Sequence, residues 1–170
     1  PVIHPWVSGR FLAGGEKARE GPVEGDYLLF VGNRYAYKNL RGLLEALRLL
    51  LPGFPGLKAA VVGVRKKGSD KADRLLADPV LRDSVVEFSM VSDDQLMALY
   101  AHARVFVFPS FMEGFGIPPL EAMAFGIPVV CSDIPVPREV CGDAVRYADP
   151  GDAGALAREI RNALMDTGGN

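Results

Sequence analysis

Two glutamates eight positions apart flank a pair of glycines in the stretch Pro109-Ser110-Phe111-Met112-Glu113-Gly114-Phe115-Gly116-Ile117-Pro118-Pro119-Leu120-Glu121. Carboxylates in such places accept hydrogen bonds from sugar or ribose hydroxyls. Glycines lacking a Cβ let a ligand come close to the backbone. The free amides and positive dipole end of a helix starting at the prolines favour an anion there. Each feature has a plainer reading: Glu121 could offset the helix dipole, Glu113 could be a solvated loop acid, and Gly114 and Gly116 could serve a tight turn. Their coincidence in one loop favours a ligand.

A second loop, Gly32-Asn33-Arg34-Tyr35-Ala36-Tyr37-Lys38-Asn39, carries two cations. Arginine offers a planar fork and lysine a point charge, and both suit phosphate. Two superficially similar motifs fail. Gly63-Val64-Arg65-Lys66-Lys67-Gly68-Ser69 lacks the Gly-Lys-[Ser/Thr] of a P-loop, and Pro119 stands where the third glycine of G-x-G-x-x-G belongs. Both hydride transfer and P-loop phosphoryl transfer are thereby disfavoured.

These loops need elements to hold them. Tyr27 to Val31, Leu57 to Val62, Val85 to Phe88, Val105 to Phe108, Pro128 to Cys131 and Ala144 to Tyr147 read as short apolar strands. Between them, Leu40, Leu43, Leu44, Leu47, Leu50 and Leu51 trace one helical face, stopped by Pro52-Gly53. A polar helix is expected over Asp70 to Ala77. Ser92-Asp93-Asp94-Gln95 has the form of a capping box opening a helix through Leu96, Leu99, Tyr100 and Ala103. Pro118-Pro119 starts another helix, a short one follows Pro137, and Asp152 caps a last one carrying Leu156, Ile160 and Leu164. Alternating helices and continuously apolar strands predict an α/β fold of three layers, a Rossmann-like parallel sheet covered on both faces. Ligands then gather beyond the carboxyl ends of the strands, where both loops lie. Residues 1–25, rich in proline and glycine, read as a linker or entry segment, and residues 26–170 as the domain.

Composition narrows the class. The chain has 170 residues, 49% apolar and 24% charged, as in a soluble globular domain. A net charge of −2 gives no electrostatic case for nucleic acid. Arg65-Lys66-Lys67 reads as a solvated loop, and no apolar run approaches a membrane span. Cys131 and Cys141, without a CxxC pair, fit core packing in a reducing compartment. His4 and His102 have no partners at ligand spacing, so no metal site is expected. The expected location is cytoplasmic, with room for peripheral membrane association of a full-length protein. Opening on Pro1, the chain reads as a piece of a longer one.

The stretch from Phe108 through Glu121-Ala122-Met123-Ala124, followed by Gly126-Ile127-Pro128-Val129-Val130, resembles the E-x7-E region of retaining glycosyltransferases built from two Rossmann-like domains (the GT-B architecture). Gly32 to Leu40 is similar to the lysine loop of that family, and Asp133-Ile134-Pro135 with Arg138-Glu139 and Gly142-Asp143-Ala144 to its following segment. The resemblance covers residues 27–160 and implies a donor-binding domain for a nucleoside diphosphate sugar. By it, Lys38 binds the donor pyrophosphate, with Arg34 a further candidate, Glu113 the transferred sugar and Glu121 the ribose hydroxyls. Gly114, Phe115, Gly116 and Ile117 then line the donor, with Gly63, Val91 and Asp93 near its base. Many members carry arginine directly after the first loop's glycine, whereas Asn33 stands there in this chain and Arg34 follows.

The same resemblance implies transfer of a hexose, with retention, to a glycan or lipid-linked acceptor. It implies no cofactor or metal, because cations and amides stabilise the departing diphosphate. An N-terminal acceptor-binding domain is an implied partner. The two loops lean toward mannosyltransferases using GDP-mannose, with a UDP-sugar as the other donor. Competing readings are a sugar-nucleotide epimerase or phosphorylase fragment, and a non-catalytic nucleotide-binding or interaction module.

Overall fold

The computed structural model describes residues 21–64 and 70–166. Most of the entry segment expected over 1–25, His4, and the basic trio of 65–67 lie outside the described residues. The elements are β1 (Tyr27–Val31), a 3-10 turn (Ala36–Lys38), α1 (Leu40–Leu50), β2 (Lys58–Val62), α2 (Asp70–Leu76), α3 (Pro79–Arg82) and β3 (Val85–Phe88). They continue as α4 (Asp93–His102), β4 (Val105–Phe108), α5 (Ile117–Ala124), β5 (Val129–Ser132), α6 (Pro135–Cys141), β6 (Arg146–Ala148) and α7 (Ala153–Asp166).

All pairings are parallel and the strand order is β3-β2-β1-β4-β5-β6. This is the Rossmann-like α/β order, which reverses direction between β1 and β4 and opens a crevice at their carboxyl ends. Side chains alternate across the sheet with period two. Leu28, Phe30, Ala59, Val61, Val105 and Val107 pack with the leucines of α1 and with Leu156, Ile160 and Leu164 of α7. Tyr27, Leu29, Ala60, Val62, Phe106, Phe108 and Cys131 pack on the other face with Leu99, Tyr100, Ala122 and Cys141. Both cysteines are free and buried in that second core, as their spacing suggests.

The expected capping box of α4 forms in full. Gln95 N donates to Ser92 Oγ at 3.2 Å, and Ser92 N donates to Gln95 Oε1 at 3.0 Å. Asp152 caps α7 by accepting from the amides of Gly154 and Ala155. Several boundaries differ from expectation by one residue or more: β2 starts at Lys58, β5 runs over Val129–Ser132 and α2 ends at Leu76. The last strand runs over Arg146–Ala148 rather than Ala144 to Tyr147, because Ala144 N donates to Cys141 O and stays in the helix-ending turn. Helix α6 begins at Pro135, and the short α3, capped by Asp78, has too few residues to show a periodicity.

One residue ties three loops together at the sheet's carboxyl edge. Asn39 is buried and left-handed (φ 56°), ending the 3-10 turn and capping α1. Its Nδ2 donates to Pro109 O and Pro150 O, both at 2.9 Å, and its Oδ1 accepts from Gly42 N at 3.1 Å. The loops after β1, β4 and β6 therefore share one amide. Asn39→Ala should lower stability by about 3 kcal/mol, through unpaired buried groups and a left-handed Cβ. Asn39→Gly, which removes only the second cost, should lose about 1 kcal/mol less in urea denaturation. Gly42→Ala should be destabilising although alanine favours helix, because its Cβ would stand 2.6 Å from Asn39 Nδ2.

Candidate active site

Lys38 leaves the 3-10 turn after β1, and Glu113 sits in the loop after β4, so the two meet where the strand order reverses. Lys38 Nζ donates to both carboxylate oxygens of Glu113, at 2.8 and 2.9 Å. The side chains are 18% and 6% exposed, so the pair is largely withdrawn from water. The ammonium also lies 5.4 Å from the Phe108 ring centre and 5.5 Å from that of Tyr37, within cation–π range. Phe111 N donates to Tyr37 O at 2.7 Å, stitching the two loops beside the pair. A compact cation is thus held next to a carboxylate at a sheet crevice, an arrangement suited to an anionic, hydroxyl-bearing ligand.

The glycine loop leads directly into α5. Gly116 caps that helix with φ 86°, a left-handed conformation that disfavours a side chain, and its Cα faces the Phe108 ring. A Cβ added at Gly114 would meet nothing within 4 Å, so the backbone there borders open space. Phe115 and Ile117 are half-buried beside it. Gly63 has a different reason to be glycine: at φ 147° its Cβ would stand 2.1 Å from Gly32 O, so the loops after β1 and β2 touch backbone to backbone.

Glu121 lies in α5, half-buried. Its Oε2 accepts from Tyr100 Oη at 2.9 Å. Burial raises its carboxyl above the ordinary glutamate range; the Tyr100 bond works against this and the Asp93 charge adds to it. Val91 is half-buried against the second core, and Asp93 is exposed in the first turn of α4. The structure therefore gathers Lys38, Glu113 and the glycine loop at one point and links Glu121 to α4. Arg34 is committed elsewhere. It is 4% exposed, with Nη2 2.5 Å from Glu87 Oε2 on β3, while its Nε and Nη1 are buried without a hydrogen-bond partner among the described residues. A cavity of about 480 Å³ opens beside the first loop, walled by Arg34, Tyr35, Asn39, Arg41 and Phe111; the side chains of Lys38, Glu113 and Glu121 do not line it.

Sequence reasoning missed Asn39, Tyr100 and Glu87 as positioning groups. None left a signal, because each acts on a residue far along the chain: Asn39 on Pro109, Tyr100 on Glu121 and Glu87 on Arg34. Among the described residues no group of three or more His, Cys, Asp or Glu gathers for a metal ion. No described helix is long and apolar enough to cross a membrane.

A Rossmann-like sheet with a cation–carboxylate pair and a glycine-led helix start at its switch point has a carboxyl edge suited to an anionic ligand. The comparisons with known proteins make this specific: residues 16–168 match the family "Glycosyl transferases group 1", and the chain belongs to that family. It is 41% identical over 142 residues to O-antigen chain mannosyltransferase B of Escherichia coli, covering 82% of this chain and 37% of that protein. Identity to O-antigen chain mannosyltransferase RfbU of Salmonella typhimurium is 34% over 137 residues, covering 81% and 38%. Among solved structures, sucrose-phosphate synthase from Thermosynechococcus elongatus superposes with a TM-score of 0.72 at 29% identity, over 86% of this chain and 38% of that one. Anabaena Alr3699/HepE, solved with UDP and glucose, shares the fold with a TM-score of 0.74 at 22% identity, over 84% and 39%. The chain thus spans under two fifths of the length of each of these proteins.

Removing Lys38 leaves a buried carboxylate unpaired. Lys38→Ala should cost about 3 kcal/mol in urea denaturation, and adding Glu113→Gln should restore most of it. Glu121 gives a pH signature. Its folded pKa lies above the unfolded value of about 4.5, so the folded chain holds that proton more tightly. Stability from this group is present below the unfolded value and declines as pH rises through the folded one. Glu121→Gln should remove that decline, read from melts across about pH 4 to about pH 7.

Proposed function

We propose that this chain is the donor-binding domain of a retaining hexosyltransferase, holding a nucleoside diphosphate sugar for transfer to an acceptor hydroxyl. The observation that carries this reading is the Lys38–Glu113 pair at the β1/β4 switch point, beside the open backbone of Gly114. In this reading Lys38 turns from Glu113 toward the donor's diphosphate, while Glu113 accepts from hydroxyls of the transferred sugar. Amides of the Gly114–Ile117 turn and the α5 N-terminus add to the stabilisation of the departing diphosphate, so the chemistry calls for no metal. Glu121 takes the ribose hydroxyls. Retention follows from same-face attack assisted by the leaving phosphate, as the family resemblance implies. Arg34, locked to Glu87, would serve the loop's shape unless the donor draws it away.

Relatives named as O-antigen mannosyltransferases favour mannose as the transferred sugar and a role in polysaccharide biosynthesis; GDP-mannose as donor and a glycan or lipid-linked acceptor follow from the family resemblance. The acceptor pocket would come from a second Rossmann-like domain, consistent with the fraction of each relative that this chain spans.

Thermal unfolding against UDP, GDP, ADP and their sugar conjugates tests the reading. A ligand at about 100 times its Kd adds about 2.7 kcal/mol, which shifts the melting point visibly. GDP and GDP-mannose should stabilise the chain, and Lys38→Ala and Glu121→Ala should each abolish the shift. A chain that responds to none of these nucleotides would not be a donor domain. The 170 residues alone should transfer hexose slowly or not at all.

A further inference from the structure

We propose that Tyr100 is a positioning residue for Glu121, fixing the carboxylate that meets the donor's ribose and so setting the domain's preference for a ribonucleotide from helix α4. The role rests on the donor-site reading above, and deepens it.

The geometry begins with a phenol whose hydroxyl meets Glu121. Tyr100 is fully buried, and a buried tyrosine hydroxyl needs a hydrogen-bond partner. Its ring is stacked on Phe125 (5.6 Å between centres, 18° between planes) and tilted against Phe106 (5.6 Å, 44°). Phe106 belongs to β4 and Phe125 ends α5, so the ring is held between the strand and helix that bracket the glycine loop. With the ring fixed, the hydroxyl oxygen is fixed too, 2.9 Å from Glu121 Oε2. Burial, with the neighbouring Glu121 charge, raises the Tyr100 pKa well above its ordinary value, so the phenol stays protonated and donates.

A half-buried carboxylate without that donor has two ways to fail. It can take up a proton, since burial and Asp93 both raise its pKa, or it can rotate to find another partner. Either change removes an acceptor from the place where a hydroxyl would arrive. With Tyr100 in place, Oε2 is pinned and Oε1 is left without a side-chain partner among the described residues. A vicinal diol is recognised best by a carboxylate held in one orientation, because the second hydrogen bond then costs no further ordering.

The test is calorimetric binding of GDP and UDP, their 2′,3′-dideoxy forms and inorganic pyrophosphate to the wild-type chain, Tyr100→Phe and Glu121→Gln. Phenylalanine keeps the ring packing and deletes only the hydroxyl. The wild type should bind its ribonucleotide about tenfold or more tighter than the dideoxy form, as expected for hydrogen bonds to a charged group. Tyr100→Phe should bring that ratio down toward that of Glu121→Gln and leave pyrophosphate affinity unchanged. A merely structural role would weaken all probes together and leave the ratio intact, which overturns the proposal, as does an unchanged ratio at unchanged affinity. A wild type that binds pyrophosphate or nucleotide without discriminating ribose also overturns it. A wild type that binds none of the probes overturns the donor-site reading, and this role with it.

Discussion

The carboxyl edge of the sheet depends on one buried amide. A parallel sheet delivers its loops to the same side, but nothing in strand pairing fixes those loops relative to one another. Asn39 does so here: its side chain donates to the carbonyls of Pro109 and Pro150 while capping α1 through Gly42 N. The geometry requires a residue that tolerates the left-handed region, which asparagine does better than most. It also requires the helix to approach without a Cβ at position 42, where one would collide with the amide. Lys38 precedes Asn39 and Glu113 follows Pro109 by four residues, so both partners of the ion pair are carried by chain that this amide anchors.

The two carboxylates of the site are handled by different physics. Glu113 is nearly sealed from water and is neutralised by a cation, a pairing that offsets its desolvation only while Lys38 remains. Glu121 is half-buried and has a neutral phenol as its partner. A phenol favours the ionised form without cancelling its charge, and so leaves the carboxylate able to accept from further hydroxyls. Lys38 is therefore occupied by Glu113, whereas Oε1 of Glu121 has no side-chain partner among the described residues.

Much of this was legible from residue order alone. Strand and helix spacing gave the α/β class, because buried parallel strands leave continuous apolar runs such as Tyr27 to Val31 and Val105 to Phe108. The capping box of α4 and the leucine face of α1 were readable because both are local, encoded within a few turns of chain. The strand order was not readable, since it depends on which crossover packs on which face. The nearness of Lys38 and Glu113, seventy-five residues apart, follows from that order. Arg34 shows the limit most sharply. Its type and place in the loop suit phosphate, yet Glu87, opposite Val61 in the sheet and far away in sequence, engages its guanidinium.

Tyr100 shows the same limit from the other side. Tyrosine on the apolar face of a helix reads as core, and Tyr100 is core: its ring joins Phe106 and Phe125 in the second hydrophobic layer. Only the oxygen at its tip reaches a polar group, and sequence spacing carries no information about where a fixed ring aims its hydroxyl. The packing of that layer therefore does two things at once. It contributes apolar burial beneath the sheet, and it converts the ring's rigidity into a defined position for the Glu121 carboxylate. At Glu121 the precision comes from the core directly beneath it, whereas Lys38 and Glu113 owe theirs to loops that Asn39 ties together.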